Sequence, residues 1–95
     1  MIKIITSKEE FNEAIKTRVL VDFYAEWCGP CKILGNILNG IKGIDIIKVN
    51  TDDFLDIALH YGIMSIPTLI YFENGMEKNK LIGLKTKDEI LEIIK

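Results

Sequence analysis

The chain has 95 residues, of which 48 % are hydrophobic, and a formal net charge of −2. A chain of this size forms one compact core, so we expect residues 1–95 to fold as a single domain. Both signs of charge are mixed along it without a basic block, which argues against a nucleic-acid ligand. No stretch approaches the roughly 18 apolar residues of a membrane span, and residues 1–6 are too short for a signal-peptide core. The composition predicts a soluble, intracellular protein.

The first half of the chain alternates short apolar runs with helical patterns. Strands are predicted over 2–5, 19–25 and 44–49. Ser7 and Glu10 form a capping-box pattern at the start of the first helix. Asp52 is predicted to cap the third helix, and Gly62 to end it. This order of elements favours parallel strand pairs joined by right-handed crossovers.

The second half predicts a hairpin followed by a helix. Its two strands are expected over 68–73 and 77–83. Between them Asn74 and Gly75 form a strong turn signal. Thr86 and Glu89 form a second capping box before the last helix. The chain as a whole therefore predicts an α/β fold, with a mixed five-stranded sheet and four helices in the order βαβαβαββα.

The two cysteines, Cys28 and Cys31, follow the most apolar strand, where a helix is expected to begin near Cys31. In a reducing compartment an isolated pair at this spacing is redox-active or metal-binding rather than structural. Free N–H groups and the helix dipole favour a thiolate at Cys28, which we assign as the nucleophile. Cys31, one turn later, would resolve the mixed disulfide. Gly29 permits the tight turn and Pro30 stiffens it.

Asp22 is a carboxylate inside the same apolar strand. Burial would raise its pKa, and its position upstream of the cysteines suits a general acid/base that exchanges a proton with Cys31. The alternative is a break in strand register that leaves Asp22 at a wet edge. Lys48, in the third strand, is within reach of Asp22 and would moderate its pKa, unless its amine extends to solvent.

Four segments resemble the thioredoxin family. They are residues 21–32, 61–63, 66–69 and 72–75, and the similarity extends over nearly the whole chain. The resemblance implies a thioredoxin fold and a protein-disulfide reductase that contributes to cell redox homeostasis. It assigns the attacking thiol to Cys28 and the resolving thiol to Cys31. It makes Asp22 the buried proton acceptor and Lys48 its neighbour.

The resemblance also implies a substrate site. Pro67 matches a cis-proline that faces the disulfide, and Ile66 would offer backbone groups to an extended peptide. A flat docking surface would consist of Trp27, Gly29, Pro30, Ile63, Ile66 and Gly83.

The implied physiology follows from the same resemblance. No cofactor is bound, and electrons come from NADPH through a flavoprotein, thioredoxin reductase. Expected substrates are oxidised proteins such as peroxiredoxins, methionine sulfoxide reductases and ribonucleotide reductase. The protein is expected to be a cytoplasmic monomer.

Three other functions stay open. A zinc site needs about four ligands, and besides the cysteines the chain offers one histidine, His60, more typical of a solvated helix face. The fold could instead serve as a non-catalytic scaffold subunit. A disulfide oxidase or isomerase is the third.

The chain departs from the family pattern at two positions of the sequence. Asn36 stands where a helix-kinking proline is usual, and Ser65 where glycine or threonine is common. Gly35, beside Asn36, costs the helix about 1 kcal/mol relative to alanine. We therefore expect this helix to depend on packing through its apolar face.

Overall fold

A computed structural model describes residues 1–95. The strands are β1 (Ile2–Ile4), β2 (Val19–Tyr24), β3 (Asp45–Asn50), β4 (Thr68–Glu73) and β5 (Met76–Ile82). The helices are α1 (Lys8–Ala14), α2 (Gly29–Leu38), α3 (Leu55–His60) and α4 (Lys87–Ile93). The predicted types and order of the elements are confirmed. None of the four helices combines the length and the apolar character needed to cross a membrane.

The five strands form one mixed sheet in the order β1-β3-β2-β4-β5. Strand β3 runs parallel to β1 and β2, whereas β4 is antiparallel to β2 and β5. Strand β2 is therefore central, and all six of its residues are buried. Coverage on both faces explains why its sequence is almost continuously apolar.

Each face of the sheet has its own hydrophobic cluster. On the first face, Phe11 of α1 and Ile57 of α3 pack against Val21 and Phe23 of β2. On the second face the cluster contains Leu34 and Leu38 of α2, Ile90 of α4 and Leu20 of β2. Successive β2 side chains thus alternate between two cores. The second face lies under α2, the helix that follows the cysteines.

The two predicted capping boxes differ in the structure. At α4 the box is complete, with the Thr86 hydroxyl accepting from the Glu89 N–H and the Glu89 carboxylate accepting from the Thr86 N–H. At α1 the Ser7 hydroxyl accepts from the Glu10 N–H at 3.2 Å. The Glu10 carboxylate, however, accepts from the Thr6 N–H at 2.8 Å instead of that of Ser7. Only half of the first predicted box is therefore present.

The prediction that Asp52 caps α3 is wrong. The N-cap is Phe54, which makes no side-chain capping bond. Asn50 holds this turn instead, because its side-chain oxygen accepts from the N–H groups of Asp52 and Asp53 at 2.9 and 3.3 Å. The Asp52 carboxylate accepts a hydrogen bond from the indole N–H of Trp27 at 2.9 Å.

The remaining turns and the sheet edges agree with the sequence. Gly62, with φ of 66°, ends α3, and Asn74 and Gly75, with φ of 52° and 80°, form the hairpin turn. The Gly75 N–H also donates to the carbonyl of Ile15 after α1, at 2.7 Å. The outer strands are β1, with three residues, and β5, which carries several exposed charged side chains.

Candidate active site

The cysteine pair lies where β2 passes into α2, in the middle of the sheet. Helix α2 begins at Gly29 with Cys28 as its N-cap, earlier than the start near Cys31 expected from sequence. Cys28 and Cys31 form a disulfide whose Cα atoms are 5.3 Å apart. The Cys31 N–H donates to the Cys28 sulfur at 3.2 Å. Pro30 lies in the first turn of the helix, where no N–H is needed.

The two sulfurs belong to residues that line different openings. Both residues are buried, with 5 % of Cys28 and 2 % of Cys31 exposed. Cys28 lines a groove of about 570 Å³, and Cys31 lines a separate cavity of about 210 Å³. The groove is also lined by Trp27, Gly29, Pro30, Thr51, Asp52, Leu55, Ala58, Ile63, Met64, Ser65 and Ile66. A protein substrate entering the groove would meet Cys28 first.

The segment before β4 lies opposite the disulfide. The Ile66–Pro67 peptide bond is cis, and the Ile66 carbonyl oxygen lies 3.9 Å from the Cys28 sulfur. Gly83, just after β5, donates its N–H to the Pro67 carbonyl at 2.8 Å. Of the predicted docking residues, Trp27, Gly29, Pro30, Ile63 and Ile66 line the groove. Gly83 and Pro67 do not line it, and Gly83 is connected to the site through the backbone of Pro67.

The groove includes apolar residues that are not among the docking residues predicted from the sequence. Met64 is 95 % exposed, and Leu55 lies on the outward face of α3, opposite the buried Ile57. Leu55, as an apolar residue on the solvent side of an amphipathic helix, is the signal in the sequence that indicates a binding surface here. Trp27 is exposed, and its indole N–H donates to the Asp52 carboxylate. These side chains give the groove a largely apolar rim.

Asp22 is fully buried, which contradicts the wet-edge alternative. Neither carboxylate oxygen has a hydrogen-bond partner, so burial raises the pKa of Asp22 to about 6. Lys48 moderates this rise, because its amine lies 3.8 Å from the carboxylate. The Lys48 amine also lies 4.6 Å from the centre of the Tyr24 ring. Lys48 thus reaches inward, not away to solvent.

A small cavity is lined by both the resolving cysteine and the lysine partner of Asp22. Its lining residues are Ile4, Tyr24, Ala25, Glu26, Cys31, Lys32 and Lys48. Cys31 and Lys48 therefore share an opening that has no residue in common with the groove. Asp22 does not line this cavity itself, and its carboxylate lies 3.8 Å from the Lys48 amine.

The structure offers no metal site. No group of three or more histidine, cysteine, aspartate or glutamate side chains is arranged to hold a metal ion. His60 is exposed on α3, as expected for a solvated helix face.

A mixed sheet that carries a Cys-X-X-Cys disulfide at a helix N-terminus, opposite a cis-proline, defines a thiol–disulfide oxidoreductase. The thioredoxin family model matches residues 2–95. Thioredoxin from Chlamydia caviae is 46 % identical over 99 % of this chain and 96 % of its own length. Thioredoxin from Mycoplasmoides gallisepticum is 43 % identical over 99 % of this chain and all of its own. The chain belongs to the thioredoxin family.

Solved structures agree with this assignment. The crystal structure of Malassezia sympodialis thioredoxin matches with a TM-score of 0.89 and 29 % identity, covering 98 % of this chain and 89 % of that one. A mutant thioredoxin from Halobacterium salinarum gives the same TM-score at 28 % identity, covering 98 % and 87 %. The protein is a disulfide reductase that carries electrons as a reversible dithiol and disulfide. Members of its family are reduced by thioredoxin reductase and act on disulfide substrates.

Proposed function

We propose that Cys28 attacks the disulfide of a protein substrate and that Cys31 completes the reaction. The Cys28 thiolate forms a bond to one substrate sulfur while the substrate disulfide breaks, and the other substrate sulfur leaves as a thiolate. Cys31 then attacks Cys28, which forms the intramolecular disulfide and releases the second substrate thiolate. Two electrons pass from the cysteine pair to the substrate, whose thiolates take up two protons.

The observation that carries this assignment is the different placement of the two cysteines. Cys28 lines the groove and occupies the N-cap of α2, where backbone N–H groups and the helix dipole stabilise a thiolate. Cys31 lies inside the first turn and lines the other cavity. Attack from outside is therefore assigned to Cys28, and resolution from within to Cys31.

Asp22 is proposed as the proton acceptor for Cys31, with Lys48 as its electrostatic partner. A carboxylate with a pKa of about 6 accepts a proton more readily near neutral pH than one of ordinary acidity. No hydrogen-bond donor occupies either carboxylate oxygen, so both are open to an incoming proton.

The groove is proposed as the site where an extended substrate segment docks. Trp27, Gly29, Pro30, Ile63 and Ile66 supply its surface. The backbone of Ile66 lies beside Cys28, where we expect an extended peptide to pair with it. Pro67 and Gly83 would support this segment from behind through their shared hydrogen bond.

The proposed physiology extends these assignments. Residues 1–95 act as one domain and as a monomer in the cytoplasm. Electrons come from NADPH through a flavoprotein thioredoxin reductase, and no cofactor is bound to the chain itself. Substrates include peroxiredoxins, methionine sulfoxide reductases and ribonucleotide reductase. The Gly29-Pro30 pair favours a reductant, and we adopt the reduction potential of thioredoxin, about −270 mV, as the expected value.

Single cysteine variants test the mechanism. Insulin reduction is followed with NADPH and thioredoxin reductase for the parent, Cys28→Ser and Cys31→Ser. We expect both variants to lose turnover. Only Cys31→Ser should accumulate a mixed disulfide with the substrate, detectable by mass spectrometry, because it retains the nucleophile but not the resolving thiol.

The alternatives predict other results. A scaffold would retain its function in both variants, and a mixed disulfide that forms on Cys31 in Cys28→Ser would reverse the assigned roles. A reduction potential above that of the glutathione pool would favour an oxidase or isomerase.

A further inference from the structure

Gly35 lies in the middle of α2, where glycine has no conformational reason to be present. Its φ is not positive, so alanine would fit the same backbone. A Cβ atom built at this position would lie 3.3 Å from the Lys48 amine. Outside α2 itself, no other heavy atom lies within 4 Å of that point. A side chain at position 35 would thus press against the Lys48 ammonium group.

The Lys48 amine reaches this space from the neighbouring strand. Lys48 on β3 is in register with Asp22 on β2, and its side chain is 21 % exposed. The amine lies above the Tyr24 ring and 3.8 Å from Asp22, at the outer limit of an ion pair. The amine is therefore close to Gly35, Tyr24 and Asp22 at the same time. A shift of a few tenths of an ångström changes its separation from the carboxylate.

We propose that Gly35 is a positioning residue, whose missing side chain lets the Lys48 ammonium lie against α2 beside Asp22. The position of the ammonium group depends on one absent Cβ atom. The effect of Gly35 on catalysis rests on the role proposed above for Asp22. Gly35 then sets how strongly Lys48 attracts the charged form of the carboxylate, and with it the pH at which Asp22 accepts a proton.

The other groups around Asp22 allow this effect to be isolated. Lys48 is the charged side chain that acts on Asp22, and Leu69, paired with Asp22 on β4, is apolar. Burial raises the pKa of Tyr24 on β2, which favours the neutral phenol. Cys31 on α2 does not titrate in the disulfide form. Glu26 and Lys32 line the mouth of the small cavity.

The test is a titration of Asp22 in the oxidised protein, followed by the ¹³C signal of its carboxyl carbon. In Gly35→Ala the new methyl group should push the amine away from Asp22 by a few tenths of an ångström. At an effective dielectric constant of about 20, this raises the pKa of Asp22 by about 0.3 unit. Lys48→Met should raise it by about 1 unit or more. Adding Gly35→Ala to Lys48→Met should then produce no further shift.

Asn36→Ala is the matched control. Asn36 is the next residue of α2, is exposed, and also becomes a better helix former when replaced by alanine. It should leave the titration of Asp22 unchanged. A Gly35→Ala variant with the parent midpoint would overturn the proposal. So would an equal shift in the presence and absence of Lys48.

A second readout separates this proposal from the role of Asp22. The rate of resolution is measured against pH on the mixed disulfide that Cys28 forms with a model peptide. If Asp22 accepts the proton from Cys31, the midpoint of this profile in Gly35→Ala moves with the NMR midpoint. If only the NMR midpoint moves, Gly35 still positions Lys48, but Asp22 is not the proton acceptor.

Discussion

The two faces of the sheet are equally well buried but contain different chemistry. Strand β2 sends Val21 and Phe23 to the α1 and α3 face, and Leu20 and Asp22 to the α2 and α4 face; all four are fully buried. The first face contains aromatic rings in edge-to-face contact. The ring centres of Phe11 and Phe72, for example, lie 6.2 Å apart. The second contains a carboxylate without a hydrogen-bond partner.

The difference shows that burial serves two purposes in one small protein. On the first face, removing apolar surface from water stabilises the fold. On the second, the same exclusion of water destabilises the charged form of Asp22 and so tunes its pKa. Asp22 would be an ordinary acidic group if it were solvated. The sheet thus separates a face where burial only contributes stability from a face where the burial of Asp22 lowers stability and raises the pKa of a reactive group.

Removing a ring from the first face should give the largest change in stability. In Phe72→Ala we expect the free energy of unfolding to fall by about 3–5 kcal/mol, because a fully buried aromatic side chain is replaced by a cavity. Urea denaturation at pH 7 measures the loss. Phe54→Ala, at a partly buried residue that packs against the same cluster, should cost less. If the pKa of Asp22 changed in Phe72→Ala, the two faces would not be independent.

Neutralising Asp22 should have the next largest effect, with the opposite sign. Because the folded pKa of about 6 exceeds the unfolded value of about 3.9, the native state binds the proton more tightly. That contribution to stability is fully present below the unfolded pKa and is lost as pH rises through the folded pKa. We therefore expect Asp22→Asn to be more stable than the parent by about 3 kcal/mol at pH 8, with the difference falling to about 0.5 kcal/mol at pH 4.

Urea denaturation of the oxidised protein at pH 4, 6 and 8 measures this dependence. Slower insulin reduction by Asp22→Asn should accompany the gain in stability. A variant that is equally or less stable than the parent at pH 8 would contradict the destabilisation of Asp22 by burial. Asp52→Asn, which neutralises an exposed carboxylate, is the control for the change of charge itself.

Helix caps should show the smallest difference between the two faces. Thr86→Ala on α4 and Ser7→Ala on α1 each remove a hydroxyl that accepts an N–H from the first turn. Each should lower the free energy of unfolding by about 1 kcal/mol, measured by urea denaturation. Equal costs would mean that the faces differ through Asp22 and not through their helix ends. A much larger cost at α4 would show that the reciprocal bond from Glu89 matters.

Local signals were sufficient to predict most of the fold. Periodicity gave the nine elements in order, and the Asn74–Gly75 turn and the Thr86–Glu89 box were found where the sequence indicated them. Each of these features depends on residues close together in the chain. The helix cap expected at Asp52 failed because Asn50, two residues earlier, closes a turn over Asp52 and Asp53, and the Asp52 carboxylate accepts from the Trp27 indole instead.

The candidate site was less predictable because it is assembled from distant segments. The cysteine pair and the buried carboxylate stood out as chemical anomalies in the sequence. No local pattern, however, brings Met64 to the groove or the Lys48 amine to Gly35. The cis bond before Pro67 came from family resemblance alone, because most bonds before proline are trans.

The short and charged outer strands have a consequence for a protein that must expose an apolar groove. Strand β1 offers only three residues for pairing, and β5 presents Glu77, Lys78 and Lys80 along its length. Such edges resist the addition of another strand. The sheet edges therefore disfavour the growth of one sheet into the next, even though the same molecule exposes an apolar groove for its substrates.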